Sequence, residues 1–155
     1  MATNGILTLE VIEAKLTRDV ETFSKMDPYV VIVNRMQQVR TTEKSGAGKT
    51  PVWNESFDLD VKYIGDDILI KVMDANVSKD TQIGEASVKL SSMCVNGGID
   101  EWWTIAHKGK KAGQLHLKGT WKPAGGAPGL GQVAGAQATQ AAAAQQPYAQ
   151  PVYTQ

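Results

Sequence analysis

The apolar positions of the first 123 residues recur with a period of two, not 3.6. Leu7, Leu9 and Val11 alternate with Thr8, Glu10 and Ile12. Tyr29, Val31 and Val33 alternate with Val30, Ile32 and Asn34. Trp53, Phe57, Leu59 and Val61 leave Asn54, Ser56, Asp58 and Asp60 on the opposite face. Ile68, Ile70 and Val72 follow, then Ile83, Ala86 and Val88, then Trp103 and Ile105, and last Leu115, Leu117, Gly119 and Trp121. Turn-forming clusters separate these runs at Ser24-Lys25, Ser45 to Gly48, Gly65 to Asp67, Asn76 to Asp80, Asn96 to Gly98 and Gly109 to Gly113. The pattern predicts about eight short strands in an all-β, antiparallel β-sandwich. No strand leads into an amphipathic helix of about a dozen residues, which argues against a parallel α/β sheet. Ser87 to Asn96 has room for a short helical turn, but the spacing of Val88, Leu90 and Met93 does not decide it.

Composition divides the chain into a domain and a tail. All sixteen basic and sixteen acidic residues lie within residues 1–123, and residues 124–155 are uncharged and rich in Ala, Gln, Gly and Pro. The first segment is long enough for one hydrophobic core, whereas the second has too few apolar side chains to offset its ordering entropy. A net charge of zero argues against a general nucleic-acid binder, which needs a basic excess to displace counterions. A single cysteine, Cys94, excludes an intramolecular disulfide and a cysteine-based zinc site. No apolar run approaches a membrane span, and no signal peptide is visible at the start, so a cytoplasmic protein is expected.

Several local motifs have a mechanism. Pro28 in Met26-Asp27-Pro28-Tyr29-Val30-Val31 has no N–H and suits the first position of a strand. It also biases Asp27 toward an extended conformation. Trp53 in Thr50-Pro51-Val52-Trp53-Asn54-Glu55-Ser56-Phe57 starts another strand with a large anchor whose N–H can lie near the sandwich rim. Val72-Met73-Asp74-Ala75-Asn76 and Ile83-Gly84-Glu85-Ala86 complete an ordered series. Together with Leu9 to Leu16, this series resembles the C2 domain family over residues 6–121, and in particular small single-C2 proteins with a low-complexity C-terminal extension. The resemblance implies the second, permuted topology of that family, with the first strand of the other topology moved to the C-terminus as Gly113 to Trp121.

The resemblance also implies a calcium site holding one or two ions. Asp27 and Asp74 match acidic ligand positions, Glu21 and Asn76 stand where aspartates are usual, and Asp80 approximates a further ligand in a loop one residue shorter than usual. Asp19 can substitute for Glu21 if the loop slides, and Thr81 takes the last position when the loop is aligned from its other end. Calcium accepts amide oxygen as well as carboxylate. Two carboxylates about 4 Å apart repel by roughly 4 kcal/mol at an effective dielectric of 20, and a cation relieves that repulsion. The alternative is a set of solvated loop residues without calcium.

The family's usual work is docking on acidic phospholipid membranes in trafficking or calcium signalling. Phe23 and Val77 are the candidate inserting tips, with Lys25 and Lys79 beside them; the alternative for Phe23 is packing against the neighbouring loop. Arg35, Arg40 and Lys62 are interrupted by acidic residues, and Lys108, Lys110 and Lys111 read most simply as a solvated turn. No catalytic motif is present, and Gly46-Ala47-Gly48-Lys49-Thr50 lacks the first glycine of a phosphate-binding loop and precedes a strand, so no enzymatic activity is expected. The tail is expected to be either a disordered extension or a strap laid on a protein partner through Tyr148, Val152 and Tyr153. In that second case the domain would be a calcium-independent interaction or structural component of a larger assembly.

Overall fold

The computed structural model describes residues 2–35 and 37–125. Residues 126–155 lie outside the described residues, and with them Tyr148, Val152 and Tyr153. Eight strands form, β1 (Gly5–Leu16), β2 (Pro28–Val33), β3 (Gln38–Arg40), β4 (Val52–Val61), β5 (Asp67–Asp74), β6 (Thr81–Lys89), β7 (Ile99–His107) and β8 (Lys110–Pro123). Every pairing is antiparallel, in the order β3-β2-β5-β6-β7-β8-β1-β4. β6 and β7 share only the pair Glu85↔Ala106. The sheet folds over at that weak seam into a nearly closed sandwich around one core, which includes Leu7, Leu9, Met26, Ile32, Leu59, Ile70, Ile83, Ile105 and Leu115. The first and last strands pair along their whole length, from Gly5↔Pro123 to Leu16↔Gly113, as the permuted topology requires.

The alternation in the sequence maps onto this core with two additions. In β1 the inward residues are Leu7, Leu9 and Val11, then Ala14 and Leu16. The change from odd to even positions comes from a bulge between Val11 and Glu13, which turns Glu13 and Lys15 outward. The strand with no counterpart among the apolar runs, β3, has no alternation long enough to read, because only three residues pair with Val31 to Val33. The segment left undecided holds a single 3-10 turn, Leu90–Ser92, anchored by buried Leu90. Trp53 is buried at the start of its strand, and its indole N–H donates to the Pro28 carbonyl at 3.2 Å.

Strand direction decides what shares a pole. β1 ends, β2 begins, β4 begins, β5 ends and β6 begins at one end of the sandwich. The connections 17–27, 41–51 and 75–80 therefore emerge together. The β7–β8 hairpin joins them, because Gly113 stands opposite Leu16. At Gly113 (φ +143°) a Cβ would lie 2.5 Å from the Lys15 carbonyl oxygen and 2.7 Å from the Leu16 Cα. Glycine is required for β8 to pass that close to the point where the first loop leaves β1.

Candidate cation and membrane site at the loop pole

The pole is built around one buried acid. Among the described residues the buried polar side chains are Asn34, Thr41 and Asp74. Asn34 donates to the Asp60 carbonyl and accepts from the Arg35 N–H, and the Thr41 hydroxyl accepts from the Val30 N–H. Asp74 is different in being ionisable, 1% exposed and only half satisfied. Its Oδ1 accepts the main-chain N–H of Asp27 at 2.7 Å, while its Oδ2 is buried without a hydrogen-bond partner. It occupies an inward position at the last residue of β5, in line with Ile68, Ile70 and Val72, so the alternation that builds the core also buries this carboxylate.

Glu21 and Asp27 complete an acidic group with it. Burial pushes the Asp74 carboxyl up to about 6, with the nearby Glu21 carboxylate and then the charges of Glu21 and Asp27 acting in the same direction, against the Asp27 N–H. Asp27 Oδ1 accepts the Gly46 N–H at 2.6 Å, and the Asp27 carbonyl accepts the Ala75 N–H at 3.1 Å. One residue therefore ties all three loops together. Glu21 accepts from the Ser24 hydroxyl at 3.2 Å, and its own N–H is held by Asp19 Oδ1 at 2.9 Å. Among the described residues, neither Glu21 nor Asp27 nor Asp74 has a basic partner within ion-pair distance.

Asn76 and Asp80 form a separate layer inside the 75–80 loop. Asp80 Oδ1 accepts the Asn76 N–H at 2.9 Å, and its Oδ2 accepts the Tyr29 hydroxyl. These bonds, Tyr29 first, hold the Asp80 carboxyl below the usual carboxylate range. The Asn76 amide donates to the Lys79 carbonyl and to the Thr81 hydroxyl, both at 3.0 Å. Arg40 stacks over the Tyr29 ring at 3.9 Å, behind Asp80. The structure thus brings Glu21, Asp27 and Asp74 together and turns Asp80 toward Tyr29. Among the described residues, no three acidic, imidazole or thiol groups already converge as a chelating set.

The donor chemistry nevertheless suits a hard divalent cation. The buried Asp74 Oδ2 lacks a partner, two carboxylates lie beside it, and all the available ligands are oxygens. Apolar tips flank this acidic group, since Phe23 and Val77 are both fully exposed. Phe23 therefore does not pack against the neighbouring loop. Lys25 and Lys79 are exposed beside the tips. Sequence reasoning did not find Gly46, whose role is a main-chain N–H with no residue-type signature. It also left Lys108, Lys110 and Lys111 as a turn, although they share this pole.

The leftover reactive groups are quiet. Burial pushes the Cys94 thiol up to about 12, so no thiolate is available. Among the described residues, no helix is long and apolar enough to cross a membrane.

Known proteins share both sequence and architecture with this chain. It is 28% identical over 121 residues to elicitor-responsive protein 3 of Oryza sativa subsp. japonica, covering 77% of this chain and 84% of the relative. A solved C2 domain-containing protein from a putative elicitor-responsive gene superposes with a TM-score of 0.70 at 28% identity, covering 83% of this chain and 96% of that one. The C2A and C2B domains of extended synaptotagmin 2, in a calcium-bound structure, match with a TM-score of 0.64 at 26% identity, over 77% of this chain and 46% of that one. The family model for the C2 domain matches residues 5–105, and the chain belongs to the C2 domain family.

Proposed function

We propose that this domain is a non-enzymatic module that attaches to acidic phospholipid surfaces in response to calcium, with modest ion affinity, in membrane trafficking or calcium signalling. The observation that carries the reading is the buried, partnerless Asp74 Oδ2, with Glu21 and Asp27 beside it and Phe23 and Val77 fully exposed at the same pole. Glu21, Asp27 and Asp74 would hold the ion, and Asn76 and Asp80 lie one layer further along the 75–80 loop. Bound calcium supplies positive charge that neutralises these carboxylates and attracts lipid phosphate. Asp27 and Asp74 are pre-positioned by main-chain bonds across the loops, whereas Glu21 stands on a polar loop with one oxygen accepting from the Ser24 hydroxyl. The calcium-bound state of a similar pair of domains supports the choice of ion.

Ionised and ion-free, the three carboxylates carry −3 toward the bilayer and oppose attachment. Neutralising them removes that opposition and lets Phe23 enter the lipid boundary, which contributes about 1.5–3 kcal/mol. Calorimetric titration with calcium, followed by co-sedimentation with phosphatidylserine vesicles in calcium or chelator, tests the reading. Heat of binding and calcium-dependent pelleting are expected. Equal pelleting in calcium and chelator would remove the calcium switch, and no pelleting in either would favour an interaction or structural component that works without the ion.

A further inference from the structure

We infer that the β7–β8 hairpin is a second, calcium-independent foothold for an anionic phospholipid surface, built from Lys108, Lys110, Lys111 and Arg18. The inference rests on the phospholipid reading above and adds a site to it. The hairpin is tight, since Lys108 (φ 50°) and Gly109 (φ 79°) both adopt left-handed conformations between the paired residues His107 and Lys110. That turn puts Lys108 at the apex and starts β8 with two adjacent lysines, which point to opposite faces. All three lysines are exposed.

The hairpin is docked against the first loop. The N–H groups of Thr17 and Arg18 both donate to the Ala112 carbonyl, at 2.8 and 3.2 Å. The Arg18 guanidinium reaches the Gln82 carbonyl at 3.5 Å, so it is held beside the hairpin. His107 feels this concentration of charge: burial lowers its pKa first, then the Arg18 and Lys108 charges, against Glu85.

Ion pairing takes up only part of the basic residues, and position in the fold separates the rest. Arg35, Arg40, Lys44, Lys62 and Lys89 each have a carboxylate partner within 4.0 Å. Among the described residues the other eleven basic side chains appear in no such pair, and four of those eleven, Arg18, Lys108, Lys110 and Lys111, are gathered on the hairpin and on the loop end docked to it. Four unneutralised cations therefore stand at the same pole as Phe23 and Val77, beside the acidic group rather than on it. Charge complementarity selects a negatively charged surface wide enough to meet both lobes, which a bilayer rich in anionic lipid provides. Calcium is not needed for this contact, because the hairpin carries its charge permanently.

The test uses the full chain and vesicles of phosphatidylcholine with and without phosphatidylserine, at low and high salt, in calcium and in chelator. The variant is Lys108→Gln/Lys110→Gln/Lys111→Gln, and the charge-matched control is Lys62→Gln/Lys118→Gln/Lys122→Gln, whose sites lie along β8 and at the far pole. Each basic residue near an anionic surface is worth about five-fold in binding, so the triple variant should bind phosphatidylserine vesicles roughly a hundred-fold more weakly in calcium and in chelator. Its melting temperature and calorimetric calcium affinity should stay at wild-type values, and the control should bind nearly as wild type. Wild-type binding in chelator should fall with salt. A triple variant that binds like wild type, or no better than the control in its loss, overturns the hairpin inference alone. Wild-type protein that pellets with no vesicle under any condition overturns the phospholipid reading itself.

Discussion

The Asp74 carboxylate accepts the main-chain N–H of Asp27 at 2.7 Å, joining the end of β5 to the residue just before β2. The bond uses one oxygen of a buried acid and leaves the other without a partner. Folding therefore holds an ionisable group in a place where its charge is costly, and a cation or a proton can remove that cost.

Asp74→Asn is expected to stabilise the ion-free domain at neutral pH. The folded carboxyl is raised to about 6 from 3.8, so its contribution to stability is fully present below 3.8 and is lost as pH rises through 6. Asparagine keeps the acceptor for Asp27 and offers an amide N–H₂ toward Glu21. In chelator at pH 7 the variant should gain on the order of 1–2 kcal/mol and lose the calcium-induced rise in melting temperature. Melting temperature measured against pH checks this, and parallel profiles for the two proteins would refute it.

Phe23→Ala and Val77→Ala should leave folding untouched, because both side chains are fully exposed. Vesicle binding should fall by roughly ten- to a hundred-fold for Phe23 and less for Val77. Calorimetric calcium affinity in the absence of lipid should not move. An unaltered vesicle isotherm for Phe23→Ala would remove it from the membrane contact.

Tyr29→Phe removes the hydroxyl that donates to Asp80 and should cost about 1 kcal/mol. Burial, then Asp80, pushes the Tyr29 hydroxyl up to about 12, so it remains a donor throughout the physiological range. The Asp80 carboxyl should titrate at higher pH in the variant, as read by carboxyl NMR. An Asp80 titration that stays in place would show that the hydroxyl does not hold it.

His116 on β8 lies between Glu13 at 3.0 Å and Asp100 at 2.6 Å and stacks on Trp102. Glu13 and then Asp100 raise its pKa above 6.5. The stabilising contribution is thus fully present below 6.5 and is lost as pH rises through the raised value. Glu13→Gln combined with Asp100→Asn should bring the imidazole titration down, and NMR of the ring protons measures it directly. A titration indifferent to both substitutions would mean that the bridge does not form in solution.

Much of the fold was legible because period-two burial is written directly in residue type. Leu7, Leu9 and Val11 face the core in the alternation they show in the chain, and Pro28 and Trp53 begin strands as their chemistry requires. β3 was not legible, because three residues that pair on one edge leave no periodic trace. The reversal of parity in β1 was also hidden, since a bulge is defined by two neighbouring strands at once.

The candidate site divides along the same line. The residue order alone determined the antiparallel sandwich, the acids and the apolar residues of the loops, because alternation and turn chemistry act over a few neighbouring residues. Only the tertiary structure decided that Asp74 is buried with a partnerless oxygen, that Asp80 turns to Tyr29, and that the lysine hairpin stands against the first loop. Burial and charge proximity depend on strand register and on which connections emerge at one pole. Those are relations between residues as far apart as Asp27 and Asp74, or Arg18 and Ala112, and no local pattern in the chain encodes them.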